Sequence, residues 1–131
     1  LSETLAAILA NALPPSWLRW TNGVTYVSAT KAARRRRGFD HMELLARSLA
    51  GQCGLPCMRT LNPPTARDQR ILDRAERKQN MQGRFTACEP LTGRRLILID
   101  DVFTTGATMD QASIALERAG AQVRCATVAR A

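Results

Sequence analysis

The sequence predicts an α/β domain with a doubly wound, mainly parallel sheet flanked by helices, and three features of its last third predict it. Leu96–Ile99 is an uninterrupted apolar run, as expected of a strand buried on both faces of a parallel sheet. Met109, Ala112, Leu116 and Ala119 follow at helical spacing, and Gly120 closes that stripe. Val123–Val128 then supplies another strand, so this stretch reads as one βαβ unit with a right-handed crossover. A chain of 131 residues with 45% hydrophobic composition fits one domain, 1–131, around one compact core.

The earlier elements read in order. Ser2 can cap a first helix whose stripe is Leu5, Ile8, Leu9 and Ala12, with Pro14 and Pro15 stopping it. Trp17 and Trp20 follow and are expected to fill core space, since no basic residues interleave with them as in a base-stacking surface. Asn22-Gly23 leads into Val24–Val27, a short β-branched run that reads as a buried strand. Asp40 stands three residues before Glu43 as in a capping box, and Met42, Leu45, Ala46 and Leu49 give a helical face ending at Gly51. Leu55–Arg59 is a further candidate strand, Asn62-Pro63-Pro64 marks a loop, and Thr86–Cys88 is a marginal strand.

Charge is concentrated in the middle of the chain. The formal net charge is +8, and residues 31–84 carry thirteen bases against five acids, so that segment accounts for the whole excess. Phosphates, nucleic acid and membrane surfaces are all acidic enough to suit such a field. A membrane partner is not expected: no apolar run approaches the eighteen or so residues of a span, and Leu1–Leu13 lacks the basic start of a signal peptide. The chain opens on Leu1 and is expected to lack its natural start. Cys53, Cys57, Cys88 and Cys125 have poor spacing for a zinc site, and a chain with an ordinary core has no need of disulfides. A reduced, cytoplasmic setting is therefore expected.

The chemistry is carried by Leu96–Thr108, LILIDDVFTTGAT: a buried strand, two acids at its carboxyl end, a turn of small residues and a helix start. Ligands of open α/β sheets bind outside the carboxyl ends of strands, where Asp100 and Asp101 emerge. Thr104, Thr105, Gly106, Ala107 and Thr108 are expected to turn their backbone N–H groups toward an anion at the helix N-terminus, with Gly106 permitting close approach and the threonines adding hydroxyl donors. Two carboxylates beside a phosphate site would repel it unless they serve hydroxyls or a cation. A ribose diol and hydrated Mg²⁺, held by Asp100 and Asp101 through water, meet that need. Sugar hydroxyls, a 5′-phosphate and a metal-bound pyrophosphate together describe phosphoribosyl pyrophosphate (PRPP) or a related phosphorylated ribose.

These thirteen residues resemble the PRPP-binding signature of type I phosphoribosyltransferases. The chain resembles in particular the ComF-type branch, known as competence or amidophosphoribosyltransferase-like proteins. Arg37-Gly38-Phe39-Asp40-His41 is similar to that family's RGFNQ and is followed by the similar Glu43-Leu44-Leu45-Ala46-Arg47. Gln69 to Phe85, with Leu72, Arg74-Ala75-Glu76-Arg77, Asn80 and Gly83, resembles its second signature, so the likeness spans roughly residues 24–131. Two features depart from it. The family's amino-terminal zinc ribbon is missing, and its Pro-Val-Pro at the end of the first strand is here Tyr26-Val27-Ser28, just before the loop that holds pyrophosphate in type I enzymes.

The resemblance implies a type I phosphoribosyltransferase fold and an enzyme that displaces pyrophosphate from PRPP with a nitrogen nucleophile, its acceptor unnamed and no residue marked as general base. Lys31, Arg36 and Arg37, with Arg74 and Arg77, are the candidate pyrophosphate ligands, while Arg34 and Arg35 read as a solvated turn. Arg67–Arg84 reads equally as a lid over a polyanion or as an exposed helix with Asp73 and Arg77 paired. His41, the only histidine, falls at a helix start and is expected to serve as a cap or surface residue rather than in catalysis. Purine-salvage members generally carry Asp where this chain has Thr104, which disfavours purine acceptors. A second function comes from another class: a PRPP- or nucleotide-binding module in DNA uptake or processing, its basic centre weakly contacting single-stranded DNA. A homodimer is compatible with either function.

Overall fold

The computed structural model describes residues 2–29, 34–36, 38–64, 85–103 and 107–130; for 101–103, 107 and 128–130 it describes the backbone alone. Three strands, β1 (Gly23–Tyr26), β2 (Arg95–Phe103) and β3 (Gln122–Arg130), form a parallel sheet in the order β1-β2-β3. The register sets Val24 beside Ile97 and Ile97 beside Arg124. The four helices with printed bounds are α1 (Ser2–Ala12), α2 (Pro15–Trp20), α3 (His41–Cys53) and α4 (Ala107–Arg118).

Alternation along β1 and β2 divides the core in two. Val24, Tyr26, Ile97 and Ile99 face α1 and α3, whose Ala6, Leu9, Leu45, Ala46 and Leu49 cover them. Leu96 and Leu98 face the other way, against Met109, Ala112 and Leu116 of α4. The apolar run of β2 is fully buried because helices cover both of its faces.

The connections explain why the helices lie on opposite faces. After α3 the chain returns beside β1, where Pro56 O accepts from Val24 N (3.0 Å) and Met58 N donates to Val24 O (2.8 Å), a parallel bridge at Cys57. From β1 the path through α3 steps outward on one side of the sheet, whereas from β2 the path through α4 steps outward on the other. Crossovers of one hand then place the two helices on opposite faces, and the direction of winding reverses between β1 and β2.

Several sequence expectations are adjusted. Ile8 is 59% exposed, and the buried stripe of α1 runs instead through Ala6, Leu9 and, just beyond it, Leu13. The Pro14-Pro15 pair that stops α1 also starts α2, since a proline at the first helical position gives up only an N–H that has no helical partner there. α3 continues past Gly51 to Cys53 and closes on Gly54, whose φ of 69° is the left-handed geometry of a helix cap. Leu55–Arg59 and Thr86–Cys88 do not form full strands. Each makes an isolated bridge, Val24–Cys57 and Leu61–Ala87, on short segments bounded by Gly54, Pro56 and Pro90.

Candidate functional site

The reversal of winding opens a crevice at the carboxyl ends of β1 and β2. Val27 N donates to Ile99 O (3.1 Å), so β1 reaches the level at which Asp100 leaves the apolar part of β2. Asp100 is half-buried, and its register partner is Thr127 of β3. Alternation from Leu96 and Leu98 puts it on the α4 side of the sheet. The backbone of Asp101 continues β2, and α4 begins at Ala107, with Thr108 half-buried in its first turn. An acidic strand end is thus followed within a few residues by the N-terminus of a twelve-residue helix.

The other long helix starting at this end, α3, has its N-terminus filled by the protein itself. Asp40 is 6% exposed; its Oδ1 accepts from Met42 N (3.1 Å) and Glu43 N (3.4 Å), and its Oδ2 accepts from Ala29 N (3.0 Å). Three amide donors and the positive end of the helix dipole balance this buried carboxylate, which occupies the place an external anion would take. Phe39 and Leu44, both more than 40% exposed, stand at the N′ and N4 positions of a hydrophobic staple. Of the long helices starting here, α4 is the one whose N-terminus carries no such carboxylate cap among the described residues.

Ser28, one residue beyond the level of Asp100, donates its hydroxyl to Leu61 O (3.1 Å). Leu61 in turn lies in the bridge to Ala87, flanked by Asn62 N to Thr86 O (2.9 Å) and Cys88 N to Thr60 O (2.8 Å). The described residues on both sides of 65–84 are therefore tied together next to the end of β1. Beneath them Thr25 and Thr60 share a buried hydroxyl–hydroxyl hydrogen bond. Tyr26, 3% exposed at the end of β1, has its phenol pushed up to about 12, mainly by burial and further by the Glu43 and Asp40 carboxylates and Cys57, against the opposing charge of Arg59.

Of the residues singled out from the sequence, Asp100, Asp101, Ala107 and Thr108 fall at this end of the sheet in one strand-to-helix passage. Arg36 lies in an exposed helical turn with Arg34 and Arg35, closed by Gly38 N to Arg34 O (2.8 Å). Thr104, Thr105, Gly106, Lys31, Arg37, Arg74 and Arg77 lie outside the described residues, as does most of Arg67–Arg84, including the Asp73/Arg77 pair. His41 is the first helical residue of α3 and half-buried. Trp17 and Trp20 pack against the α1/α3 core as expected, and the fold brings the Arg124 guanidinium over Trp20 at 4.2 Å and Trp17 at 5.5 Å, a contact that local sequence did not announce. The triple role of Asp40 was likewise missed; its only signal was the cap position before Glu43.

No cluster of three metal-binding side chains occurs among the described residues. The donor chemistry still suits Mg²⁺, which keeps several waters and takes one or two carboxylates together with substrate phosphates. Asp100 and Asp101 supply that carboxylate pair on consecutive residues. The described cysteines are free, and burial raises the thiols of Cys53, Cys57 and Cys125, which disfavours their thiolate form. No helix among the described residues is long and apolar enough to cross a membrane.

Comparison with known proteins matches residues 2–131 to the phosphoribosyl transferase domain. The chain is 28% identical over 130 residues to the DNA utilization protein YhgH of Escherichia coli (strain K12), covering 95% of this chain and 57% of that protein. It is 29% identical over 92 residues to Competence protein F of Haemophilus influenzae, covering 66% of this chain and 40% of that protein. It thus spans about half the length of these curated relatives. Among solved structures, the glutamine PRPP amidotransferase of B. subtilis, complexed with ADP and GMP, superposes with a TM-score of 0.65 at 22% identity, over 97% of this chain and 26% of that one. Orotate phosphoribosyltransferase from Aeropyrum pernix gives 0.56 at 16% identity, over 97% and 70%. The fold is that of the type I phosphoribosyltransferases, as the sequence resemblance implied.

Proposed function

The chain belongs to the phosphoribosyl transferase domain family, and from that premise we propose that it binds PRPP at the carboxyl end of β2 and replaces the pyrophosphate with a nitrogen nucleophile. The observation that carries this reading is the position of Asp100: at the reversal of winding, on the α4 side of the sheet, a few residues before a helix N-terminus that no carboxylate of the described residues fills.

In this reading Asp100 and Asp101 accept hydrogen bonds from the ribose hydroxyls, and Thr104–Thr108 hold the 5′-phosphate at the start of α4. The nucleophile forms a bond to ribose C1 as the C1–O bond to pyrophosphate breaks, and the departing oxygen takes the electron pair. Lys31, Arg36, Arg37, Arg74 and Arg77 are the cations assigned to that departing charge. Mg²⁺, when bound beside the two aspartates, supplies further positive charge against the pyrophosphate oxygens. Thr104 offers no carboxylate to a purine ring nitrogen, so adenine, guanine and hypoxanthine are not its acceptors. Mixing the protein with PRPP, Mg²⁺ and a panel of amines and bases tests the proposal: pyrophosphate release with one of them supports it, and release with purines alone contradicts the assignment of Thr104.

The names of the DNA utilization and competence relatives favour a second reading, a PRPP-binding module in DNA uptake or processing. Saturable PRPP binding without turnover supports it. So does weak single-stranded DNA binding whose affinity falls with salt at a slope near 0.7 per phosphate contacted. Homodimer formation and a cytoplasmic location belong to both readings, and light scattering of the purified protein reads the former.

A further inference from the structure

We propose that Asp40 is a positioning residue for the pyrophosphate-bearing end of the ligand: its carboxylate fixes the direction in which the chain leaves β1. The proposal rests on the PRPP reading and concerns a residue which that reading leaves as a helix cap. A cap needs one acceptor oxygen, and Oδ1 of Asp40 fills that role alone by receiving Met42 N and Glu43 N. Oδ2 is directed elsewhere, to the amide of Ala29 eleven residues earlier at 3.0 Å. Ala29 is the last described residue before 30–33, the stretch that contains Lys31.

Just before it, Ser28 is held by Leu61 O and Val27 by Ile99 O. Three consecutive residues are therefore fixed to three different partners: β2, the 60–62 segment and the start of α3. A strand end that only had to stop would need none of the last two. The bond from Ala29 is charge-assisted and shielded, since Asp40 is 6% exposed, so it holds the amide more firmly than a solvent-facing turn would. The same carboxylate closes the N-terminus of α3 to external anions. The pyrophosphate is thus kept from binding there and is left to the residues that follow Ala29.

Serine separates the two functions, because its short hydroxyl caps a helix but does not also reach Ala29. PRPP with Mg²⁺ and ribose 5-phosphate are titrated calorimetrically into the wild type, Asp40→Ser and Asp40→Ala, with thermal melts of each. Asp40→Ser is expected to melt close to wild type and to bind PRPP about tenfold more weakly. Ribose 5-phosphate, which lacks the pyrophosphate, should bind both proteins alike. Asp40→Ala should lose the same PRPP affinity and melt lower as well. Unchanged PRPP affinity in Asp40→Ser, or equal weakening of both ligands, overturns the positioning role. A wild type that binds neither ligand overturns the PRPP reading and this proposal with it, an outcome distinct from the other two. Amide exchange at Ala29 gives a readout that needs no ligand: it should quicken at least about tenfold in Asp40→Ser, and unchanged protection shows that the carboxylate does not hold the loop.

Discussion

The two ends of the sheet are built differently. At the amino end, side chains and backbone join segments more than seventy residues apart. Thr21 Oγ1 lies 2.7 Å from both Gly23 O and Arg95 O, Asn22 bonds both the N–H and the C=O of Arg95, and Arg95 Nε donates to Trp20 O. Arg124 lies over Trp20, and Gly120 packs directly on Thr92. At the carboxyl end, the fixed points are Ser28, Ala29 and Asp40, which hold the borders of a crevice rather than fill it. Doubly wound sheets place ligands at the carboxyl end, so stabilising contacts at the other end can accumulate without obstructing a site. Substitutions at the two ends should accordingly separate stability from binding.

The largest effect is expected at the carboxyl end. Asp100→Asn with Asp101→Asn keeps side-chain size but removes the charge that a ribose diol and Mg²⁺ require. PRPP affinity should fall roughly ten- to hundredfold, the cost of a lost charge-assisted hydrogen bond. The melting temperature should hold or rise, since adjacent carboxylates without a ligand repel each other. Calorimetric titration alongside melts reads both, and tight PRPP binding by a normally folded double mutant removes the site assignment.

Gly120→Ala should do the reverse. Its φ is 107°, and an added Cβ would lie 2.9 Å from the Cα and Oγ1 of Thr92, so both backbone strain and a backbone clash arise. A loss of roughly 2 kcal/mol in denaturant unfolding is expected, with PRPP affinity unchanged. An unaltered unfolding midpoint would mean that the α4–β2 corner yields easily.

What was legible in the sequence follows the range of the signal. Leu96–Ile99, the α4 stripe and the Asp40 cap are local patterns, and each element formed where its pattern lies. Strand ends were less legible: β2 begins at Arg95 and runs on through Asp100 to Phe103, because backbone pairing with β3 continues where the apolar run stops. Ile8 has the spacing of a core residue, but α3 packs on a neighbouring stripe of α1, which only the tertiary arrangement decides. At the candidate site, the order of acids, turn and helix was plain from Leu96–Thr108. The reach of Asp40 to Ala29 and the stacking of Arg124 on Trp20 join residues whose proximity no periodicity records.

An alkaline titration sharpens the contrast from the carboxyl end. The Tyr26 phenol is pushed up from 10 to about 12, chiefly by burial, so the folded state keeps the proton that the unfolded chain releases. Its contribution is fully present below pH 10 and is lost as pH rises toward 12. By pH 11 the loss is roughly 1.4 kcal/mol. Stability of Tyr26→Phe, which has no proton to lose, should fall less steeply over that window. Parallel slopes for the two proteins would show that Tyr26 ionises as freely folded as unfolded.

The smallest effect should come from Thr21→Val at the amino end. Thr21 is 6% exposed, and valine has nearly its shape, so packing changes little and the hydroxyl alone is tested. That hydroxyl accepts from Gly23 N at 3.1 Å and donates toward Gly23 O or Arg95 O. Arg95 O keeps a partner in the mutant, since Asn22 N also donates to it at 2.9 Å, so the Thr21 bonds to Gly23 are the ones that lose their partner outright. The expected cost is about 1 kcal/mol, near that of a net intramolecular hydrogen bond, and Thr21→Ser should recover most of it. PRPP affinity should match wild type, because Thr21 precedes β1 at the end of the sheet opposite Asp100. A tenfold loss of affinity in Thr21→Val would mean that the amino-end network transmits its order along β1 to the crevice, and the two ends would then be one cooperative unit rather than two.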